Sequence, residues 1–577
     1  MDRWVLSSTA SLWAWSVLAL AGCNAILGIE DRPAKPAASG GSGPGGGQAG
    51  TSGQGGGQPL GQACVDEGEC ASGHCVDGVC CEAESCDPCQ SCGIESAPGT
   101  CEVDPPGTSA EPDCEGAVCD GQGHCTTGNV LWAQRFGSID SDRFYEAAFD
   151  TDGNVVLAGH FSGTVTFGGQ ALESAGGHDV VVVKLDPAGN HVWSKRFGGI
   201  WRDQPRGLAI RPNGNVLVVG YVASEVDFGG GPEAHFDATD AFLLELDPSG
   251  NHVASRVYGG TGDDVALSVA AVDDTAVVIT GFADDTISFG GVSVLTVNPP
   301  VNSHQYFVAR VVRQGSKTFE QVWAKLVEGS MPEPFVDPVP ELGVAVDGAG
   351  NAIVAGNFLG LAGFSDGAEL NATGGADDID GFVGKLSPSG DHSWSRRFGS
   401  VGQDRTDRVL VDGPDRIFLA GYAQGDVSST SAPSIESHGG ADALVLQLDG
   451  AGNLEWGTQI GGPYSESALG LGLDEAGNLL LAGQYWSGPT ELGGPPLPHV
   501  DHNEVFAVKL ARGTNELVHL WSHGFTGPGG DVAGGAMRAD GLVAIAGQFG
   551  GSLDVAGIEL NAASTDDKDA FVALLEP

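Results

Sequence analysis

Three shortages frame this 577-residue chain. Met occurs 3 times, charged residues make up 18%, and Lys plus Arg number 26 against 75 Asp plus Glu. Few charges and few Met argue against long solvent-facing helices, and 93 Gly suit short strands joined by tight turns. The formal charge of -49 at pH 7 repels nucleic acid and anionic headgroups, which excludes a nucleic-acid partner. Catalytic signatures are missing as well. GxSxG and HExxH do not occur, and Gly315-Ser316-Lys317-Thr318 lacks the glycine that a Walker loop places directly before its lysine. A site assembled from separate repeats stays open.

The one apolar run near the N-terminus, from Trp4, is broken by Ser and Thr and is too short and too Ser-rich for a comfortable membrane span. It ends in Leu20-Ala21-Gly22-Cys23. That ending resembles a bacterial lipobox, which implies cleavage after residue 22 and diacylation of Cys23; the alternative is an uncleaved anchor helix. Asn24 follows the cysteine, and by the same resemblance this favours the outer membrane. The membrane would then be a partner through acyl chains, with the protein periplasmic or surface-exposed. Residues 23–63 include a Gly/Ser/Gln tract at 38–59 that cannot bury anything and reads as a disordered linker; taken as a flexible coil, Asn24 to Ala63 has a root-mean-square reach of about 35 Å.

Apart from Cys23, cysteine is confined to one short window: Cys64, Cys70, Cys75, Cys80, Cys81, Cys86, Cys89, Cys92, Cys101, Cys114, Cys119 and Cys125. Twelve cysteines in an exported segment imply up to six disulfides, in a module over 64–128 too small for its own core. Connectivity stays open. Cys86, Cys89 and Cys92 form CxxCxxC, but Ser96 stands where a bacterial ferredoxin places its next cysteine, so disulfides are favoured over a metal. The window resembles the cysteine-rich modules that precede propellers in other bacterial surface lipoproteins.

The remainder, 129–577, repeats. An apolar strand ending in glycine recurs as NVVLAG, NVLVVG, AVVITG, AIVAG, RIFLAG, NLLLAG and LVAIAG, about 65 residues apart. A second strand starts at Asp179, Asp240, Gln305, Asp380, Asp442, Glu504 and Asp569. A third carries Trp132, Trp193, Ala254, Trp323, Trp394, Trp456 and Trp521. With a TVTFGG-type segment, each unit holds four short strands, the pattern of a propeller blade. The Trp132 strand precedes the first unit and the last unit stops without one, so an N-terminal strand completing the last blade would close the ring. The fold expected is all-β: a seven-bladed β-propeller preceded by a small disulfide-rich module and a disordered linker.

The repeated W-x3-FGG, apolar hairpin, DFGG and DVVVVKLDPAGN segments are similar to bacterial SBBP-type β-propeller repeats over about residues 130–577. Repeat three lacks the Trp, and repeat four departs most, with an insertion from Glu328 to Pro340. The resemblance implies a fold and surface display, and no reaction.

Two acidic patterns are candidate cation sites. The DTDGN-type loops superficially resemble calcium loops, but Phe161 stands where a bidentate Glu is needed, and Asp-started turns account for them more simply. The second pattern is Asp142, Asp203, Asp264, Asp404, Glu466 and Asp531, each six residues after the aromatic or Ile that ends a Trp strand. In a propeller these carboxylates should gather near one channel mouth, where they either cap their own loops or bridge a Ca2+ ion. The repeated Trp reads as packing against a neighbouring blade, which leaves Trp201 and Trp486 as candidate exposed contacts. Two functions follow: a display protein binding protein or glycan ligands without catalysis, or an extracellular polymer-degrading hydrolase or lyase with its site at the channel mouth.

Overall fold

The computed structural model describes most of residues 60–577; residues 1–59 and, as the longest internal stretches, 93–99, 109–117, 297–303 and 331–341 lie outside the described residues. Cys23, the Gly-rich tether and Cys114 therefore fall outside them.

Among the described residues every regular element is a strand. The building unit is a four-stranded antiparallel sheet whose strands pair in chain order: Arg143–Phe149, Val155–Phe161, Asp179–Leu185 and His191–Phe197. The two middle strands, VVLAGHF and DVVVVKL, are buried along their whole length. Continuous apolar runs suit strands covered on both faces. The same order recurs from Gln204–Ile210 to His252–Thr261, from Arg405–Asp412 to Leu454–Ile460, and from Ser465–Leu473 to Leu517–Phe525. Between them, the Asp264–Ala271 and Gly343–Val346 sets fuse. Thr318–Ser330 pairs with Ala352–Phe364, which gives one nine-stranded sheet where the sequence carries its insertion.

The first strand of each set packs on the first strand of the next, from Arg143–Phe149 to Gln204–Ile210 and onward to Asp531–Met537, which packs back on Arg143–Phe149. A closed ring of inner strands with sheets radiating from it is a β-propeller.

The last sheet takes strands from both ends of the chain. Asp531–Met537, Val543–Gly550 and Lys568–Leu575 are followed by Val130–Phe136, with Ala570 opposite Phe136 and Leu574 opposite Trp132. Elsewhere the turn into the outer strand is continuous: Asp186 N donates to Asn190 O at 2.8 Å, and Gly189 N to Asp186 O at 2.9 Å. At the seam the two termini rebuild that turn, as Glu576 N donates to Asn129 O at 2.8 Å and Thr127 N to Pro577 O at 3.2 Å.

The outer-strand Trp residues stitch neighbouring sheets together. Trp132 Nε1 donates to Pro187 O at 3.0 Å, Trp193 Nε1 to Pro248 O at 3.0 Å and Trp323 Nε1 to Pro388 O at 2.9 Å. The cysteine window is a disulfide framework, pairing Cys64–Cys75, Cys70–Cys80, Cys81–Cys92, Cys86–Cys101 and Cys89–Cys119. Cys125 is bonded too. Val118 of this module packs on the core of the last two sheets, so the module is seated beside the seam.

Candidate functional site

The DTDGN-type loops close as capped turns. Asp150 Oδ1 accepts from Asp152 N and Asn154 N, both at 2.9 Å, while Asn154 Nδ2 donates to Asp150 Oδ2 at 2.8 Å. Asp186, Asp247, Asp347, Asp449 and Asp474 each accept from their own Asn in the same way. Their oxygens are thereby occupied within the turn.

The second acidic series lies at the start of the inner strands, and its members are buried apart from one another. Asp142 accepts from Ser138 N at 2.7 Å and Ser162 N at 3.0 Å. Asp203 accepts from Gly199 N and Ala223 N, Asp404 from Ser400 N and Gln424 N, and Glu466 from Gly462 N and Thr490 Oγ1. Asp264 accepts from Gly260 N at 3.0 Å. Asp531 begins its strand, and its side chain lies outside the described residues. Each carboxylate therefore ties a loop to its neighbouring sheet. Among the described residues no three of them offer oxygens within 4.8 Å of one another, so the structure brings together no shared cation site from this series.

Burial pushes these carboxyls up, to about 8 for Asp264, about 7 for Asp142 and about 6 for Asp203 and Asp404, against the lowering effect of the amide hydrogen bonds. A second carboxylate adds to the rise: Asp569 beside Asp142, Asp179 beside Asp203, Asp240 beside Asp264 and Asp380 beside Asp404. Each partner is the first or second residue of the third strand of the preceding sheet, and three of them have an outer-strand guanidinium at hand, in the pairs Arg135–Asp569, Arg196–Asp179 and Arg397–Asp380. The pairs are joints between sheets.

The mouth itself is lined differently. A cavity of about 560 Å3 opens where the inner strands begin, between the sheets that start at Arg143, Gln204 and Asp264 and the closing sheet. Arg143, Arg202, Arg206 and Lys568 lie on its wall, with Asp263 as the one carboxylate among the residues that line it. A β-bulge in each of these inner strands places one extra residue, Tyr145 in the first and Arg206 in the second. Such a bulge re-aims a side chain. The Arg206 guanidinium lies 4.6 Å from the Tyr145 ring centroid and 5.8 Å from that of Tyr221, and the Arg143 guanidinium lies 4.8 Å from Tyr145. Aromatic faces hold the cations where the net negative field of the chain would otherwise favour carboxylates as their partners.

Beside them His160 and His178 stack at 4.1 Å with ring planes 3° apart. His178 is held by Gln204 Nε2 at 3.0 Å. His160 is 4% exposed, and neither of its ring nitrogens has a hydrogen-bond partner among the described residues. Burial holds its imidazole well below the usual range, with His178, Arg143, Arg206 and Arg202 acting in the same direction. It is therefore a neutral ring, polar and unsatisfied.

Exposed apolar side chains stand in the loops that lead into the inner strands. Ile139, Ile200 and Val401 occupy the same place in three of the loops that enter inner strands, and Trp201 beside Ile200 is 62% exposed. Of the two Trp residues outside the repeated series, Trp201 is exposed, whereas Trp486 ends a second strand, half-buried. The cation cluster has no single repeat position and is not legible in the periodicity. The bulge position itself holds Tyr145, Arg206, Leu267 and Asp407 in four of the inner strands, so it carries no repeated residue.

No protein-family model matches the chain. It is 22% identical over 490 residues to an uncharacterized WD repeat-containing protein of Acanthamoeba polyphaga mimivirus, covering 69% of this chain and 34% of that one. It is 24% identical over 355 residues to the regulatory protein FlaEY of Caulobacter vibrioides, covering 58% and 35%. The chain thus spans about a third of the length of these curated relatives. Among solved structures, the C-terminal WD40 domain of Sif2 is similar over 77% of this chain and 99% of that domain, at 8% identity and a TM-score of 0.33. The architecture is that of a propeller-like repeat protein.

Proposed function

We propose that this chain is a lipid-anchored protein of the bacterial outer membrane that holds a seven-bladed, SBBP-type propeller away from the bilayer as a binding module, with its ligand at the channel mouth. The lipobox-like Leu20 to Cys23 supports the anchor. Five disulfides with both cysteines described support an oxidising, exported compartment. Seven copies of each strand marker, and the recurring four-strand order, support the blade count.

The observation that carries the binding reading is the mouth cavity. Its size falls within the range of small-ligand sites, and it joins aromatic faces to a few convergent polar groups. Among the described residues of its wall Asp263 is the one carboxylate, whereas glycoside hydrolysis uses a pair flanking the scissile bond. The second reading, a polymer lyase, has one observation in its favour: Tyr145 and His178 stand beside guanidiniums, so a proton acceptor and a carboxylate clamp share the cavity.

A polysaccharide and peptide array probed with the full-length protein, run beside assays for new reducing or unsaturated chain ends, tests both. Retention without new ends is expected. Turnover would replace the binding reading with the lyase, and retention unaffected by Trp201→Ala and Arg206→Ala together would place the ligand elsewhere.

A further inference from the structure

The cavity carries more information than the presence of a site. Lys and Arg number 26 in the whole chain, yet four of them line this one cavity. Neither Arg202 nor Arg206 has a carboxylate partner in a salt bridge among the described residues, although acidic residues outnumber basic ones almost threefold. Bringing Arg202 and Arg206 together without such partners raises the energy of the empty protein, and a bound anion offsets that cost. His160, polar, buried and unsatisfied beside these cations, is a second and independent mark of a ligand. A buried imidazole without a partner destabilises the protein until something donates to it or accepts from it.

Three features narrow the anion. The cavity is too large for inorganic phosphate or sulfate alone and suits a ligand of one to a few rings. Arg206, lying against Tyr145 and Tyr221, presents a planar fork, and such forks grip a carboxylate through two parallel hydrogen bonds. The walls also mix ring faces, Tyr221 and Phe282, with the short polar groups Ser141, Thr239 and Gln204, a combination that meets the apolar face and the hydroxyl rim of a sugar.

From these observations we infer that the channel mouth binds a carboxylated sugar, either free or as the end of an acidic polysaccharide, with Arg206 and Arg143 on the carboxylate and His160 on a ring hydroxyl. This rests on the mouth being the binding site.

Titration calorimetry of the full-length protein with tri-galacturonate tests it, beside the fully methyl-esterified trimer, free galacturonate, inorganic phosphate and a poly-glutamate peptide. The acid trimer should bind and added salt should weaken it. Esterification should cost at least about tenfold, as should Arg206→Ala or the charge reversal of exposed Arg202 to Glu, whereas Arg416→Ala, at the other end of its sheet, should bind as wild type. Arg206→Lys, which keeps the charge and loses the fork, should fall between. Binding of free galacturonate as tight as the trimer assigns the monomer as ligand; a tighter trimer assigns the polymer end. Equal binding of acid and ester, lost in Arg206→Ala, overturns the carboxylate while the mouth stays the site. Phosphate or poly-glutamate binding with a silent trimer overturns the sugar. If no probe binds, the inference fails.

Discussion

Asn129 and Glu576 lie 447 residues apart in sequence and form one turn: Asn129 Nδ2 donates to Glu576 Oε2 at 3.2 Å and Glu576 N donates to Asn129 O at 2.8 Å. The pair repeats what Asn190 and Asp186 do inside a continuous turn, with Glu in place of Asp. Gly128 completes the likeness, since a Cβ there would meet Trp521 at 2.5 Å, just as one at Gly250 would meet Trp193 at 2.9 Å. The break in the ring therefore falls at a turn tip, where few hydrogen bonds are lost. A circular permutant that joins Pro577 to Thr127 and opens between Pro248 and Ser249 should fold and melt cooperatively within a few degrees of the linear 127–577 fragment. Deleting residues 130–137 should instead lower the melting temperature sharply, because it uncovers the Lys568–Leu575 edge. Unchanged melting of the deletion would contradict the closure.

The sheet-joint carboxyls give the fold a pH dependence. A carboxyl whose pKa rises on folding contributes its full stability below its ordinary value near 3.8 and loses it as pH climbs through the folded value, about 8 for Asp264. Asp264→Asn cannot titrate. The melting-temperature advantage of wild type over this variant should therefore shrink from about pH 4 to about pH 8 and level off above it. A constant or widening gap would mean that Asp264 is not held in its neutral form.

Gly250 needs its hydrogen twice over, for a φ of 77° and for the Trp193 ring. Gly250→Ala should cost about 1–3 kcal/mol in denaturant unfolding. Gly348, where an added Cβ would meet nothing within 4 Å, should accept Ala with little change. Similar losses at both positions would show that the Trp contact does not matter.

One ion pair crosses the channel. Arg408 Nη1 meets Glu146 Oε1 at 2.9 Å, although their inner strands are not neighbours in the ring. A double-mutant cycle with Arg408→Ala and Glu146→Gln should return a coupling of about 0.5–2 kcal/mol, since both side chains are partly exposed. Additive losses would leave the pair without a role in bracing the ring.

Much of this was legible in the sequence because it recurs or is local. The glycine-ended strand, the Trp strand and the Asp-capped turn each depend on residues a few positions apart, and repetition multiplies the signal. The strand exchange at the seam followed from counting a surplus strand at one end and a missing one at the other. The mouth was harder to read. The acidic series was visible as a pattern, but its carboxylates are drawn into sheet joints by backbone amides that no pattern reveals. Arg143, Arg206 and Lys568 reach one cavity from three kinds of position, one after the acid, one at a bulge and one at the head of a third strand. Convergence of that sort is made by ring closure.

The most direct measurement of the central claim needs no knowledge of the ligand. In crystals soaked in bromide, the anomalous difference map should place its strongest peak in the mouth cavity beside Arg206 and Arg143. Peaks scattered over surface cations, with that cavity empty, would contradict the account.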